Sequence, residues 1–364
     1  MTALTDKLKQ HTYNTAKQKL CAAFLSTTRP RYLFGKNAYA EKVLQQADVD
    51  GIIDDFAIES EHMGKPIVRL EHVPKNALIL ILSGGRPLSA EKRLKEGQFE
   101  YIDYFAFFKY SGLKLDEIRF SEGFLQDYEE NKEDYEWIKH SLADKTSVEQ
   151  FEKLIDFKRS YELDFLNGFQ ERQHLQYIEP FLNLAPTGET FADVGSFDGF
   201  TSETFIVNCP DYTAIHIFEP VPSNMIVANR RLSSHSNIYY HNIGLSNNKE
   251  TLSFSADGSC STSSEAGELN IKVDRLDDLE LGPFSFIKMD IEGAELAALE
   301  GAQKTILRDK PRLAISVYHR PSDIWTIPRK LLSIHPDYKI YLRHYTESVY
   351  ETVMFFIPPE THVK

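Results

Sequence analysis

The stretch TFADVGSFDGFT, residues 190–201, constrains the fold more than any other part of the sequence. A short apolar run ends in an acid at Asp193, passes through a turn carrying Gly195 and Gly199, and opens a helix-compatible segment. Strand, tight turn and helix in that order begin a βαβ unit, which commits the neighbouring chain to a parallel sheet with helical crossovers. Glycines in such a turn allow close backbone approach to a ligand, and the helix start offers unpaired N–H groups. The acids at Asp193 and Asp198 argue against a bound pyrophosphate and suit a cationic ligand instead. Read without a ligand, the same residues make a structural strand-to-helix junction.

The pattern continues on both sides. From Thr190 onward, strands are predicted at Thr190–Val194, Ala214–Phe218, Asn237–His241, Ser285–Met289, Leu313–Val317, Lys339–Leu342 and Tyr350–Ile357. Helices follow the first, second, fourth and fifth. The last two strands are joined by a short segment and should be antiparallel. Asn248 to Val273 reads as an inserted hairpin with a Ser-rich loop, Ser259 to Ser264. Upstream, Arg31–Gly35, Gly51–Phe56 and Ala77–Leu82 alternate with helical stretches at 37–47 and 89–96, a second and smaller Rossmann-like pattern. Residues 112–184 read as helical, broken by Pro180. The expected organisation is an N-terminal helix at 1–30, a small Rossmann-like domain at 31–111, a helical connector at 112–184 and a larger α/β domain at 185–364.

Composition narrows the function. The chain has 364 residues, 42% hydrophobic and 26% charged, with a mean hydropathy of -0.37, enough for about two folded domains. Forty-one basic residues stand against 54 acidic ones. A net charge of -13 gives no general attraction to phosphate backbones or anionic lipid, so nucleic acid is not an expected partner. No apolar run approaches the ~18 residues of a spanning helix, and MTALTDKLKQ lacks the apolar core of a signal peptide. A cytoplasmic location is expected. Three separated cysteines suggest neither a disulfide framework nor a zinc site.

Three further strand ends carry chemistry. The strand IHIF, residues 215–218, ends in Glu219 and Pro220, twenty-six residues after Asp193. An acid closing the second strand of a βαβ unit is placed to accept both ribose hydroxyls of an adenosine. FIKMDIEGAE, residues 286–295, empties a buried strand into Lys288, Asp290, Glu292 and Glu295. Lys288 inside an apolar strand demands a partner, with Asp290 or Glu292 in reach along the chain. ISVYHRP, residues 315–321, ends at the same edge with His319, which is suited to take a proton from a hydroxyl near neutral pH. Asp290, Glu292 and His319 clustered together would suit a divalent metal, but their spacing is not diagnostic and no metal is expected.

These motifs in this order (FADVGSFDGFTS, IFEPVPSN, YHNIGLS, RLDDL, FIKMDIEGAELAALEGA and PRLAISVYHRPSD) resemble the FkbM family of S-adenosylmethionine-dependent methyltransferases, within the seven-stranded class I methyltransferase fold. The resemblance covers roughly Gln173 to Pro358. It implies S-adenosylmethionine as cofactor, held by the loop of Asp193, Gly195, Ser196, Asp198, Gly199 and Thr201 and by Glu219 with Pro220. It implies that Asp290 and Glu292 lie over the methyl-transfer site, and that Gln176 and Tyr177 close over the cofactor. Relatives often have an acid before the histidine of the fifth strand; this chain has Ser316, Val317 and Tyr318 before His319. The expected activity is methylation of a hydroxyl on a sugar, a glycan precursor or another small metabolite, with His319 or Asp290 as base.

The first domain resembles the Rossmann-like module often fused in front of such enzymes. Its turn, Gly35-x-Asn37-x-x-Ala40, keeps one glycine of three, which obstructs pyrophosphate approach. A scaffold, self-association or substrate-presenting role is expected there. Two other functions stay open on the residues alone: a nicotinamide-dependent oxidoreductase of nucleotide sugars, and a cofactor-binding protein without turnover.

Overall fold

In the computed structural model, which describes residues 15–26, 28–254 and 269–359, the chain forms two compact units. The first takes residues up to Glu122 together with Lys153–Glu171 and Thr346–Tyr350; the second takes Gly123–Glu152, Arg172–Tyr345 and Glu351 onward.

In the first unit, helix α1 (15–26) precedes a sheet of β1 (Arg31–Phe34), β2 (Gly51–Ile53), β3 (Glu61–His62), β4 (Lys65–Val68), β5 (Leu78–Ile81) and β6 (Glu100–Asp103). The order is β3-β4-β2-β1-β5-β6, parallel except at β3–β4. Every residue of β5 is buried, as a central parallel strand covered on both faces must be. Helices α2 (Ala38–Leu44), α3 (Pro87–Glu96) and α4 (Tyr104–Tyr110) complete the unit's α/β part. Strand β2 ends earlier than predicted because the Asp54 carboxylate accepts the N–H groups of Phe56 and Ala57, forming a turn. Asn37 caps α2 by accepting from Ala40 N and donates to Leu82 O at 2.6 Å, so its side chain ties the β1 turn to the end of β5.

The stretch at 112–184 departs from the expectation of a helical connector, because the two units share it. Helices α5 (Phe124–Glu130), α6 (Lys132–Ser141) and α7 (Lys145–Ser160) form, but helix stops at Ser160. Tyr161 and Gly168 adopt positive φ, and only single 3₁₀ turns follow, the last opening at Pro180.

The second unit holds β7 (Thr190–Val194), β8 (Ala214–Phe218), β9 (Ile238–His241), β10 (Gly244–Leu245), β11 (Glu250–Phe254), β12 (Leu269–Asp274), β13 (Phe286–Met289), β14 (Arg312–Ser316), β15 (Lys339–His344) and β16 (Thr352–Ile357). Seven of these strands make one sheet in the order β15-β16-β14-β13-β7-β8-β9. The five from β14 to β9 are parallel, and β16 runs antiparallel between β14 and β15. This is the expected seven-stranded class I methyltransferase arrangement. Helices α8 (Phe200–Asn208), α9 (Pro222–Leu232), α10 (Glu295–Glu300), α11 (Gln303–Asp309) and α12 (Asp323–Ile334) make the crossovers. Phe191, Phe205 and Phe286 stack in the core between sheet and helices. Strands β11 and β12 pair antiparallel beside β10. The Ser-rich loop between them, Ser259 to Ser264, lies outside the described residues.

Candidate functional site

Strand β7 has β8 on one side and β13 on the other, so the strand order reverses at β7 and a crevice opens at the carboxyl ends. The turn after β7 packs tightly against the turn after β13. Gly195 has φ +74°, and a Cβ there would sit 1.8 Å from the carbonyl oxygen of Asp290. At Gly199, φ +82°, a Cβ would meet Ala228 Cα of α9 at 3.1 Å. The space a Cβ would need at these glycines is taken by protein atoms, while Gly195 itself lines the crevice.

Asp193 is fully buried, and its carboxylate is taken up within the protein. Its Oδ2 accepts from Ser202 Oγ at 2.7 Å, and Lys288 Nζ lies 3.2 Å from its Oδ1. Lys288 also donates to Gly195 O at 2.6 Å and stands 5.1 Å from the Tyr177 ring centroid. The partner of Lys288 is thus Asp193, not Asp290 or Glu292. Asp198 is likewise engaged: its Oδ2 accepts from Arg231 at 2.6 Å and its Oδ1 from Phe200 N.

A cavity of about 610 Å³ fills the crevice, within the size range of small-molecule sites. One end is walled by Phe197, Glu219, Pro220, Val221, Asn224 and Gly244–Ser246, and Leu252, Ile271 and Val273 add apolar surface. Glu219, 5% exposed, accepts from Phe197 N at 2.9 Å and from Val221 N at 2.8 Å, so its carboxylate is held rigidly with lone pairs to spare. Burial raises its pKa above the usual carboxylate range, against these two N–H groups and the Asn224 amide. Ser196 Oγ, on the same loop, is buried without a hydrogen-bond partner.

At the other end stand Asp290, Ile291, Glu292, Tyr318 and Glu351. Asp290 Oδ2 accepts from Tyr177 OH at 2.6 Å, and Gln176 Nε2 donates to Tyr177 OH and to Glu351 Oε2. Gln176 and Tyr177 also line a neighbouring cavity of about 370 Å³ together with Asp198 and Thr201. Burial, reinforced by the charge of Asp290, raises the Glu351 carboxyl to about 7.

His319 lies behind this wall, its side chain 1% exposed. Its Nδ1 is 3.0 Å from Glu295 Oε1, and its Nε2 is 3.3 Å from Asp290 Oδ1 and 3.8 Å from Glu292 Oε2. Burial opposes the charged ring, but these carboxylates, Glu295 foremost, prevail and raise it to about 9. These carboxylates favour the doubly protonated ring, a form with no lone pair to serve as a base.

Of the residues the sequence singles out, Gly195, Glu219, Pro220, Asp290 and Glu292 line one cavity. The sequence did not single out Asn224, Tyr318 or Glu351. Asn224 sits in the quoted IFEPVPSN segment, where its side chain had no reason to stand out. Glu351 lies just before β16 with no motif around it, and the antiparallel pairing of β16 with β14 brings it beside the end of that strand.

Residues 193–349 match the methyltransferase FkbM domain. The chain is similar to the solved structure of methyltransferase FkbM from Methylobacillus flagellatus KT, with 23% identity and a TM-score of 0.74, covering 93% of this chain and 92% of that one. An rRNA methylase from Streptococcus thermophilus matches with 14% identity and a TM-score of 0.33, over 55% of this chain and 96% of that one. Aeropyrum pernix fibrillarin, solved with natively bound S-adenosyl-L-methionine, matches with 13% identity and a TM-score of 0.32, over 47% and 67% of the two chains. A comparison with curated proteins gives no match. Among the described residues, no helix is long and apolar enough to cross a membrane.

Proposed function

Since residues 193–349 carry a methyltransferase FkbM domain, we propose that this protein transfers a methyl group from S-adenosylmethionine to a hydroxyl oxygen of a sugar, a glycan precursor or another small metabolite. The observation that carries the reading is the rigidly held, buried carboxylate of Glu219 at one end of a cavity whose other end holds Asp290, Glu292 and Glu351. The residues fit the cofactor. Glu219 accepts from two ribose hydroxyls, Asn224 adds a polar side chain beside it, and the orphaned Ser196 hydroxyl offers a further hydrogen bond. When bound, S-adenosylmethionine supplies a methyl group already activated on a sulfonium, so the protein's task is alignment and proton removal.

Proton removal falls to a carboxylate that faces the cavity. Asp290 is engaged by Tyr177 and His319, whereas Glu351 is held by Gln176 on one oxygen and keeps the other for an acceptor proton. We assign Glu351 as the proton acceptor and Asp290 as an orienting carboxylate. His319 is a positioning residue that fixes Asp290 and Glu292. The Asp193–Lys288 pair supports the cofactor loop from below without touching the ligand. The first unit, with Asn37 filling its β1 turn, suits a scaffold or substrate-presenting role.

Calorimetric titration with S-adenosylmethionine and S-adenosylhomocysteine tests the reading. Wild-type protein binds both, and Glu219→Ala abolishes or severely weakens both. Folded, ligand-free wild-type protein that binds neither would refute it.

A further inference from the structure

We propose that the first unit holds residues 346–350 as an internal ligand, and that Tyr350 and Glu347 are thereby positioning residues for Glu351, the next residue along the chain. The proposal rests on the methyltransferase reading, in which Glu351 is the proton acceptor. These five residues lie between β15 and β16 in sequence, yet they belong to the first unit, while Tyr345 and Glu351 on either side belong to the second.

In the first unit β1 lies between β2 and β5, so the strand order reverses there. The carboxyl ends of β1 and β5 therefore frame the crevice in which an open α/β sheet takes its ligand. That crevice is full. Tyr350 enters it beside Tyr39, Leu82, Ser83, Gly84 and Pro87, and about 10 Å³ remains, room for roughly one water molecule. A Cβ on Gly84 would come within 3.8 Å of the Tyr350 hydroxyl and 3.9 Å of the Tyr39 ring. Phe120 meets the Tyr350 ring edge to face, with centroids 5.9 Å apart.

The second anchor is electrostatic. Helix α3 follows β5 with no acid in its first turn and no side-chain cap from Arg86, so its leading N–H groups and positive end call for an anion. Glu347, 8% exposed, fills that place: its Oε2 accepts from Ser89 N at 2.7 Å and its Oε1 from Ser89 Oγ at 2.5 Å. In nucleotide-binding units of this topology a phosphate sits at such a helix start. Here a carboxylate of the chain itself takes that position, and a ring of the same segment fills the crevice. Thr346 Oγ1 donates to Tyr350 O at 2.8 Å and closes the turn, with Ser348 and Val349 fully buried.

The consequence falls on Glu351. Its φ is +62°, a conformation that a glutamate keeps only where its surroundings hold it. On one side the backbone is fixed by β16, which pairs with β14 from Val353 onward. On the other side the fixed point is Tyr350. Freed there, the backbone relaxes toward negative φ and the carboxylate leaves Gln176, its hydrogen-bond donor. Glu351 also stands among Asp290, His319, Lys288, Tyr177 and Tyr318; burial and Asp290 hold its carboxyl at about 7 against Gln176, His319 and Lys288. Displacement from this place would return it toward an ordinary 4.5.

The test uses full-length protein labelled with ¹³C at the glutamate side-chain carboxyls and titrated with pH by NMR. The Glu351 signal is the one missing from Glu351→Gln, and S-adenosylhomocysteine affinity is measured on the same samples. Wild type is expected to titrate near 7 at Glu351, and Tyr350→Phe, which keeps the ring in the crevice, to titrate with it. Tyr350→Ala should drop toward 4.5, and Glu347→Gln should fall partway. A merely structural role would lower the melting temperature and leave that midpoint in place. Glu347→Gln, which removes one charge at the helix start, gives the answer should Tyr350→Ala not fold. A Glu351 midpoint equal to that of wild type in either folded variant would overturn the proposal. If S-adenosylhomocysteine binds and the midpoint does not move, the positioning role falls and the methyltransferase reading stands. A midpoint that moves in a protein unable to bind S-adenosylhomocysteine supports the internal ligand and removes the methyl-transfer role of Glu351.

Discussion

Replacing Lys288 by Met separates a scaffold role for Asp193 from a ligand-binding one. Lys288 Nζ lies 3.2 Å from Asp193 Oδ1, and both side chains are almost wholly buried. At that separation the gross attraction is ~5 kcal/mol at an effective dielectric of about 20. Removing the cation leaves the Asp193 carboxylate in the sheet with one hydrogen bond, from Ser202. Breaking a buried pair in this way costs about 3–5 kcal/mol. For a unit of this size each kcal/mol moves the midpoint by roughly 2–4 °C, so Lys288→Met should melt about 10 °C lower. Adding Asp193→Asn removes the orphaned charge, and the double variant should regain most of the loss. Thermal scans of the two single variants and the double variant, each paired with S-adenosylhomocysteine titration, give the answer. The double variant should bind the ligand nearly as wild type does. An Asp193→Asn protein that melts like wild type but fails to bind would refute the reasoning and return Asp193 to the cofactor.

Gly195→Ala would push a methyl group onto the Asp290 carbonyl from a left-handed backbone, at a cost of about 2–6 kcal/mol; a variant with wild-type melting would show that the two turns do not meet as described. Glu351→Gln should lower kcat by about 10²–10⁴-fold with little change in S-adenosylmethionine affinity, and unchanged turnover would remove Glu351 as proton acceptor. His216 on β8, buried and facing His241, is held down to about 4, so the unfolded chain takes up a proton below about 6.5 that the folded chain refuses until about 4. Stability should therefore fall as pH drops from 6.5 toward 4, by up to ~3 kcal/mol, and His216→Phe should flatten that slope in melting curves at pH 7 and 4.5. A slope that persists in His216→Phe would assign the acid sensitivity elsewhere.

The sheet of the second unit was legible because its central strands are buried on both faces and read as apolar runs. In the first unit, Lys65–Val68 and Glu100–Asp103 escaped notice for the opposite reason. The former holds Pro66 and is only partly buried, and the latter opens on an exposed glutamate and closes on the acid that caps α4. The site divides along a similar line. Glu219 and Asp290 sit where a strand stops, and the local sequence alone reports where strands stop. The partner of Lys288 does not follow from local sequence. Lys288 stands directly opposite Asp193 because β13 pairs with β7 in a particular register, between segments 95 residues apart, and nothing within either segment encodes that alignment. Alternation along β13 offers Asp290 and Glu292 as partners, yet the parallel register puts a carboxylate directly across from the lysine and leaves those two acids for the cavity. The same argument covers Glu351 and His319. Each lies at the end of a strand whose neighbour is set by tertiary pairing, so their side-chain partners follow only from β16, β14 and β13 standing side by side. A scaffold ion pair inside the sheet and a set of acids left outside it are two consequences of one register. Hence the Lys288→Met and Asp193→Asn variants probe the sheet, while Glu351→Gln probes the chemistry that the sheet presents.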